Sequence, residues 1–326
     1  MTPASLFDLV QAPVRWQVLK AALELGLVDV LTEERSAEDV ARCLGLDCRR
    51  TDVLLHAMAA GGLAVKTDGR FRLPPDLAPY LCRDGLRSMR DLLLTIWQVR
   101  HADVADLVRT GSRGEGPDMA SAAFWDRSAD SLRAFHRSMG TDTALALLQS
   151  LPEWPQVRTF LDLGAGSGRL AQAVAAADPQ RRATVLDLPP MAERIVADLR
   201  GTAEEGRVQV MAGDFNSAPL GGGYDLIWAA MTLYFARDLG AVLTAVRQAL
   251  APGGVFVSFH EGLTPDLTGP EIHVVGRLVP ALRGQARSFR QGEIAAALRQ
   301  SGFTRVDSRP VETPFGLMQA DIAHAS

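Results

Sequence analysis

The chain has 326 residues with 38 acidic and 34 basic side chains, a net charge of −4 that disfavours a general nucleic-acid binder. With 47% hydrophobic and 22% charged residues, it reads as a globular chain long enough for two domains and a sizeable core. No stretch reaches 18 uncharged apolar residues, and Glu24 and Asp29 interrupt the best signal-like run, so no membrane span or signal segment is expected and a cytoplasmic location is.

Residues 12–31, "APVRWQVLKAALELGLVDVL", have helical spacing, with Val14, Val18, Ala21, Ala22, Leu25 and Leu27 on one broad face. Ser36 is placed to cap a helix over "AEDVARCLGL", and "CRRTDVLLHAMAAGGL" gives a second, closed by Gly61-Gly62. "AVKTDGRFRL" then reads as a hairpin around Asp68-Gly69. Helix, helix and hairpin make a winged-helix unit, whose obvious use is DNA binding. From residue 36 to 72, however, six basic and five acidic side chains leave a net of +1, too even a field for a phosphate-binding face. The three cysteines, Cys43, Cys48 and Cys82, fit neither a disulfide framework nor a metal spacing and are expected as buried thiols in a reducing compartment. Residues 84–157 read as mostly helical, broken by a polar, glycine-bearing loop.

"FLDLGAGSGRL", Phe160 to Leu170, is a strand, a glycine turn and a helix start, and such a turn lets a ligand approach the backbone closely. The turn ends Gly168-Arg169-Leu170, not Gly-Lys-Ser/Thr, so it is no Walker loop. Its G-x-G-x-G spacing also departs from the dinucleotide pattern. Asp162, two residues before Gly164, would repel a pyrophosphate but suits a ligand carrying an ammonium and a positively charged sulfur. "ATVLDL" ends a second strand at Asp187, placed for a ribose diol about 20 residues beyond the glycines. "VQVMAGDF" ends a third at Asp214-Phe215, where a carboxylate can take an adenine amino group and a ring can cover its face. Amine, ribose and adenine without phosphate describe S-adenosylmethionine.

These segments, with "VLDLPPMAERI" and "VRQALAPGGVFVSFHE", resemble the class I S-adenosylmethionine-dependent methyltransferases. The whole chain resembles their two-domain small-molecule O-methyltransferases, which include caffeate and hydroxyindole enzymes and bacterial natural-product enzymes. The resemblance implies an α/β, Rossmann-like domain with a mostly parallel seven-stranded sheet over 158–326. It further implies a mainly helical, winged-helix dimerisation domain over 1–100, a helical linker over 101–157 that contributes to the acceptor pocket, and a homodimer with no nucleic-acid or membrane partner. Asp162, Gly164, Gly166 and Gly168 would hold the methionine portion, Asp187 and Leu188 the ribose, and Asp214 and Phe215 the adenine. No metal is expected.

Phe135-His136-Arg137-Ser138-Met139 resembles the family's Phe-x-x-x-Met helix, which puts Phe135, His136 and Met139 on the acceptor side. In the plant members of that family a His follows the fourth strand, but here "YDLIWAAM" leads through Met231 to Tyr234 at that place. A phenol with a pKa near 10 is a poor base at neutral pH, so Tyr234 is expected to position the acceptor. The next strand ends in His260-Glu261, and His260 is the candidate base with Glu261 to orient it or bind an acceptor hydroxyl. "EIHVVGRLVPALRG" adds His273 and Arg277 to the acceptor side. Methylation of oxygen on a small aromatic or conjugated metabolite is the leading reading. Methylation of an enol or tetrapyrrole carbon and a non-methylating decarboxylase- or hydroxylase-like relative are the alternatives.

Overall fold

The computed structural model describes residues 2–111, 122–285 and 287–325, with backbone alone for 122–127, so the expected polar loop falls outside the described residues. The chain forms two compact units, Met1–Thr95 and Ile96–Ser326.

In the first unit, α1 (Pro3–Glu24) and α2 (Leu27–Val30) precede β1 (Arg35–Ser36), α3 (Ala37–Leu44) and α4 (Cys48–Ala60). β2 (Val65–Thr67), β3 (Arg70–Arg72) and α5 (Ala78–Leu81) follow, and the strands pair in the order β1-β3-β2. Ser36 Oγ accepts the Asp39 N–H at 3.1 Å, and Asp47 does the same for Arg50 at 2.8 Å, so α3 and α4 both start on side-chain caps. Two expectations need correction. The helix expected over 12–31 begins at Pro3 and is broken by Gly26, whose φ of 77° restarts the chain as α2. The buried residues are Ala22, Leu23, Leu27 and Val28, whereas Val14 and Leu25 of the expected face are exposed. Cys43 and Cys48 are exposed thiols rather than buried ones, and Cys82 is half-buried.

α6 (Arg90–Arg100) carries the chain into the second unit, followed by α7 (Val104–Thr110), α8 (Ala122–Phe135) and α9 (Thr141–Gln149). Between α8 and α9 the expected continuous helix widens into a π-helical turn, His136–Gly140, in which Thr141 N–H reaches the His136 carbonyl. One extra residue in the turn re-aims the side chains around it, and such turns recur at functional sites.

The sheet then runs β4 (Thr159–Leu163), α10 (Arg169–Ala176), β5 (Arg182–Asp187), α11 (Pro189–Leu199), β6 (Val208–Ala212) and β7 (Tyr224–Ala230). α12 (Leu239–Ala249), β8 (Leu250–His260), β9 (Gly262–Leu263), α13 (Glu271–Gly276), α14 (Leu278–Leu282), β10 (Phe289–Arg290) and α15 (Glu293–Gln300) come next. β11 (Arg305–Thr313) and β12 (Gly316–His324) close the chain. The seven strands lie in the order β11-β12-β8-β7-β4-β5-β6, parallel except that β12 is antiparallel to both neighbours. The central strands are apolar on both faces because helices cover both. Phe160, Val185, Trp228 and Val257 feed one core, and Leu161, Leu163, Ile227 and Phe256 the other. The path leaves β4 toward β5 and β6, then returns to β7 on the other side of β4. This reversal opens a crevice at the carboxyl ends of β4 and β7, where open α/β sheets bind ligands.

Candidate active site

The glycine turn lies in that crevice. Gly164 has a φ of 67°, and a side chain there would overlap Thr232, which follows β7. Gly166 also has positive φ, 64°, with His136 of the π-helical turn 3.7 Å from where its Cβ would stand. At Gly168 a Cβ would come within 2.9 Å of Ile195 on α11, so this glycine sets how closely α10 and α11 pack.

Around the turn stand the acidic strand ends. Asp187 Oδ2 accepts the Gly166 N–H and Oδ1 the Leu188 N–H, each at 2.7 Å. Leu188 is held extended before Pro189, which opens α11. Burial raises the Asp187 carboxyl to about 6 against the pull of those two N–H groups. Asp162, 3% exposed on β4, has no hydrogen-bond donor among the described residues. Burial first, and the Asp187 charge second, push its carboxyl well above the usual range. Asp214 differs, being less deeply set. Burial is outweighed by Asn216, whose N–H and side-chain amide donate at 2.9 and 2.8 Å, and by Arg237 at 2.6 Å, so this carboxyl is held low. Phe215 lies half-buried against the core on the same side.

On the other side of the crevice, Phe135 packs edge-on to Phe315 at 5.0 Å between ring centroids. His136 Nδ1 lies 2.6 Å from Ser167 Oγ of the glycine turn, and burial, with Arg169 nearby, lowers its pKa to about 4. Met139 is half-buried in the π-helical turn. Met231 has a φ of 48° and donates its N–H to Phe259 at 3.0 Å. Tyr234 stands among Phe235, His260 and Phe289. Burial and the Glu261 charge raise its phenol pKa despite Arg277, so it stays protonated.

His260 is not placed as a base. It is 1% exposed, Nε2 accepts the N–H groups of Thr232 and Leu233 at 3.0 Å each, and Nδ1 meets Ser258 Oγ at 3.0 Å. Burial, then Arg277, lowers its pKa to about 3, so the imidazole has neither a free nitrogen nor the basicity for the work expected of it. Glu261 does not orient it either. Its buried carboxylate pairs with Arg277 and lies 3.4 Å from Ser288 Oγ. Arg277 stands 5.5 Å from the Tyr234 ring centroid and borders a cleft of about 860 Å³ with Leu263, Leu267, His273 and Ser288. His273 donates Nε2–H to the Leu317 carbonyl at 2.8 Å. The cleft lining includes none of the glycine-turn residues. Thr232, Ser258, Ser167 and Arg237 join the site without having been singled out in the sequence. Ser167 lies inside the glycine motif, and Ser258 stands two residues before His260 on the same face of a strand.

Residues 161–256 match the family described as a methyltransferase domain. Across 97% of this chain and 88% of the relative, the sequence is 31% identical to O-demethylpuromycin-O-methyltransferase of Streptomyces alboniger. The chain belongs to the S-adenosylmethionine-dependent small-molecule O-methyltransferase family. The same fold occurs in an O-methyltransferase family protein from Burkholderia thailandensis, with a TM-score of 0.83 at 20% identity over 100% of this chain and 98% of that one. Human N-acetylserotonin methyltransferase, in a complex with S-adenosylmethionine, superposes with a TM-score of 0.80 at 21% identity over 100% and 99% of the two chains. Among the described residues of this methyltransferase, no helix is long and apolar enough to cross a membrane, and no cluster of three or more His, Cys, Asp or Glu could hold a metal.

Gly164→Ala in the methyltransferase forces a side chain onto Thr232 at a positive φ. It should lower stability by about 1–3 kcal/mol in denaturant unfolding; an unchanged midpoint would show that the turn has slack.

Proposed function

We propose that this methyltransferase moves the methyl group of S-adenosylmethionine to a hydroxyl of a small aromatic or otherwise conjugated acceptor. The Asp162 carboxyl carries the reading. It is buried, lacks a donor among the described residues and is further raised by Asp187, so a cationic ligand beside the glycine turn relieves it. S-adenosylmethionine brings the required ammonium and sulfonium charges and, when bound, supplies an electrophilic methyl group. Asp162 with Gly164, Gly166 and Gly168 would hold the methionine portion, Asp187 with Leu188 the ribose, and Asp214 with Phe215 the adenine. Phe135, His136, Met139, Met231, His273 and Arg277 are assigned to the acceptor side.

The nearby groups narrow the source of proton removal. Tyr234 is protonated and His260 is fully engaged. We therefore infer an acceptor acidified by its own conjugation, a phenol or enol ionised without a strong base, with alignment toward the methyl group supplying most of the rate. The same observation favours a second reading, methylation at an enol carbon. Incubation with labelled S-adenosylmethionine and a panel of phenols, enols and tetrapyrroles should place the label on oxygen. Label on carbon would establish the second reading, and cofactor binding with no transfer across the panel would favour a decarboxylase- or hydroxylase-like relative. With the acceptor so found, Tyr234→Phe should slow turnover about tenfold to a hundredfold through one lost hydrogen bond. The shape of its pH profile should not change; a lost high-pH limb would make Tyr234 the base.

Asp187 sets a pH dependence on cofactor affinity. Ribose hydroxyls need its carboxylate as acceptor, and protonation removes it, so affinity falls as pH falls through about 6. By calorimetry, S-adenosylhomocysteine should bind about tenfold more weakly at pH 5 than at pH 7.5. Asp187→Ala should weaken it by about 1–3 kcal/mol at pH 7.5 and remove this component. Unchanged affinity in that variant would take Asp187 out of the site.

We also propose a homodimer through the first unit. The start of α1 exposes an apolar face, with Phe7 73% and Val10 68% accessible alongside Leu6 and Leu9. Light scattering at micromolar concentration should return twice 35.1 kDa, and Phe7→Glu should lower it to one copy. A monomeric wild-type protein would contradict the proposal.

A further inference from the structure

We propose that His260 is a positioning residue that ties the cofactor cradle to the acceptor-side tyrosine through the turn after β7. The inference rests on the methyltransferase reading. β7 ends at Ala230, and the backbone then reverses through Met231 at a φ of 48°. The next two N–H groups, of Thr232 and Leu233, converge on His260 Nε2 at 3.0 Å each. No strand or helix partner takes them, and without His260 both would be buried donors left unpaired.

The direction of these bonds fixes the imidazole. Nε2 faces two donors, so it carries the lone pair, and the ring proton sits on Nδ1 and is donated to Ser258 Oγ. Ser258 is fully buried on the same face of β8, with Asp321 of β12 directly opposite it in the ladder. The histidine therefore works as a neutral connector with each nitrogen committed.

What it connects gives the function. Thr232 fills the space beside Gly164 that a side chain would need, so its placement shapes the floor of the glycine turn. Leu233 starts a 3-10 turn, Leu233–Phe235, that carries Tyr234, whose ring lies edge-on to His260 with centroids 5.7 Å apart. One imidazole thus sets two walls, that of the methyl donor and that of the acceptor. Charged neighbours of this arrangement are Arg277, which bears on both His260 and Tyr234, and its partner Glu261.

The test uses the full-length protein with S-adenosylhomocysteine as probe, and three variants. His260→Leu preserves bulk but offers no acceptor. It should weaken S-adenosylhomocysteine about tenfold to a hundredfold by calorimetry and speed amide exchange at Thr232 and Leu233. His260→Gln keeps an acceptor oxygen and should restore affinity to within about threefold, with exchange protection intact. If the leucine variant fails to fold, Ser258→Ala, which removes only the partner of Nδ1–H, should still weaken affinity about threefold to tenfold. All variants should keep the wild-type pH dependence of affinity, because His260 is uncharged throughout that range. Unchanged S-adenosylhomocysteine affinity in His260→Leu, with only stability lowered, would overturn the positioning role. So would a His260→Gln enzyme that binds normally but loses a limb near pH 6–7 in methyl transfer, since that would make the imidazole a base. A wild-type protein that fails to bind S-adenosylhomocysteine would overturn the cofactor reading itself, an outcome distinct from both.

Discussion

Two carboxyl groups at neighbouring strand ends, the buried Asp162 and the half-buried Asp187, set the terms for the crevice. An ionised carboxylate taken out of water is destabilised by several kcal/mol unless donors or a counter-charge offset it. Asp187 is met by two backbone N–H groups, and one of them, from Gly166, exists only because the glycine turn folds back over β5. Asp162 is met by none among the described residues. A sheet that buries such a pair at its topological reversal pairs an electrostatic demand with a place for a cation, and S-adenosylmethionine carries two positive centres. The dinucleotide alternative fails on the same charge, since a pyrophosphate would add to the repulsion.

The second constraint is mechanical. The glycine turn and the segment after β7 pack directly together, because Thr232 occupies the space that a side chain at position 164 would need. In that segment the Thr232 and Leu233 N–H groups are taken by a histidine from the adjacent strand. Parallel strands β7 and β8 run in register from Leu226↔Val255 to Ala230↔Phe259, which delivers His260 one residue past the last pair, at the level of the turn. One side chain of the central sheet thereby holds the turn that follows the neighbouring strand.

Much of this was legible in the sequence, for a physical reason. The glycine turn, its flanking strands and Asp162, Asp187 and Asp214 are local patterns in which each residue's place depends on neighbours a few positions away. The caps at Ser36 and the hairpin at Asp68-Gly69 are local in the same sense. The misses share the opposite cause. His260 reads as a base because its residue type suits that work, whereas its hydrogen-bond partners are N–H groups 27 and 28 positions earlier in the chain. The π-helical turn adds one residue to a periodic segment without a glycine or proline before it to mark the change. The end of α1 and the restart at α2 depend on a single glycine at position 26, and the exposure of Cys43 and Cys48 on tertiary packing that composition does not encode.

A crystal structure with S-adenosylhomocysteine tests most directly whether Asp162, Asp187 and the glycine turn form the S-adenosylmethionine site. The expected result is the ligand's ammonium against the Asp162 carboxylate, its ribose hydroxyls on Asp187, and the adenine beside Asp214 and Phe215. A ligand seated elsewhere, for instance in the cleft beside Arg277, with Asp162 still lacking a partner, would contradict it.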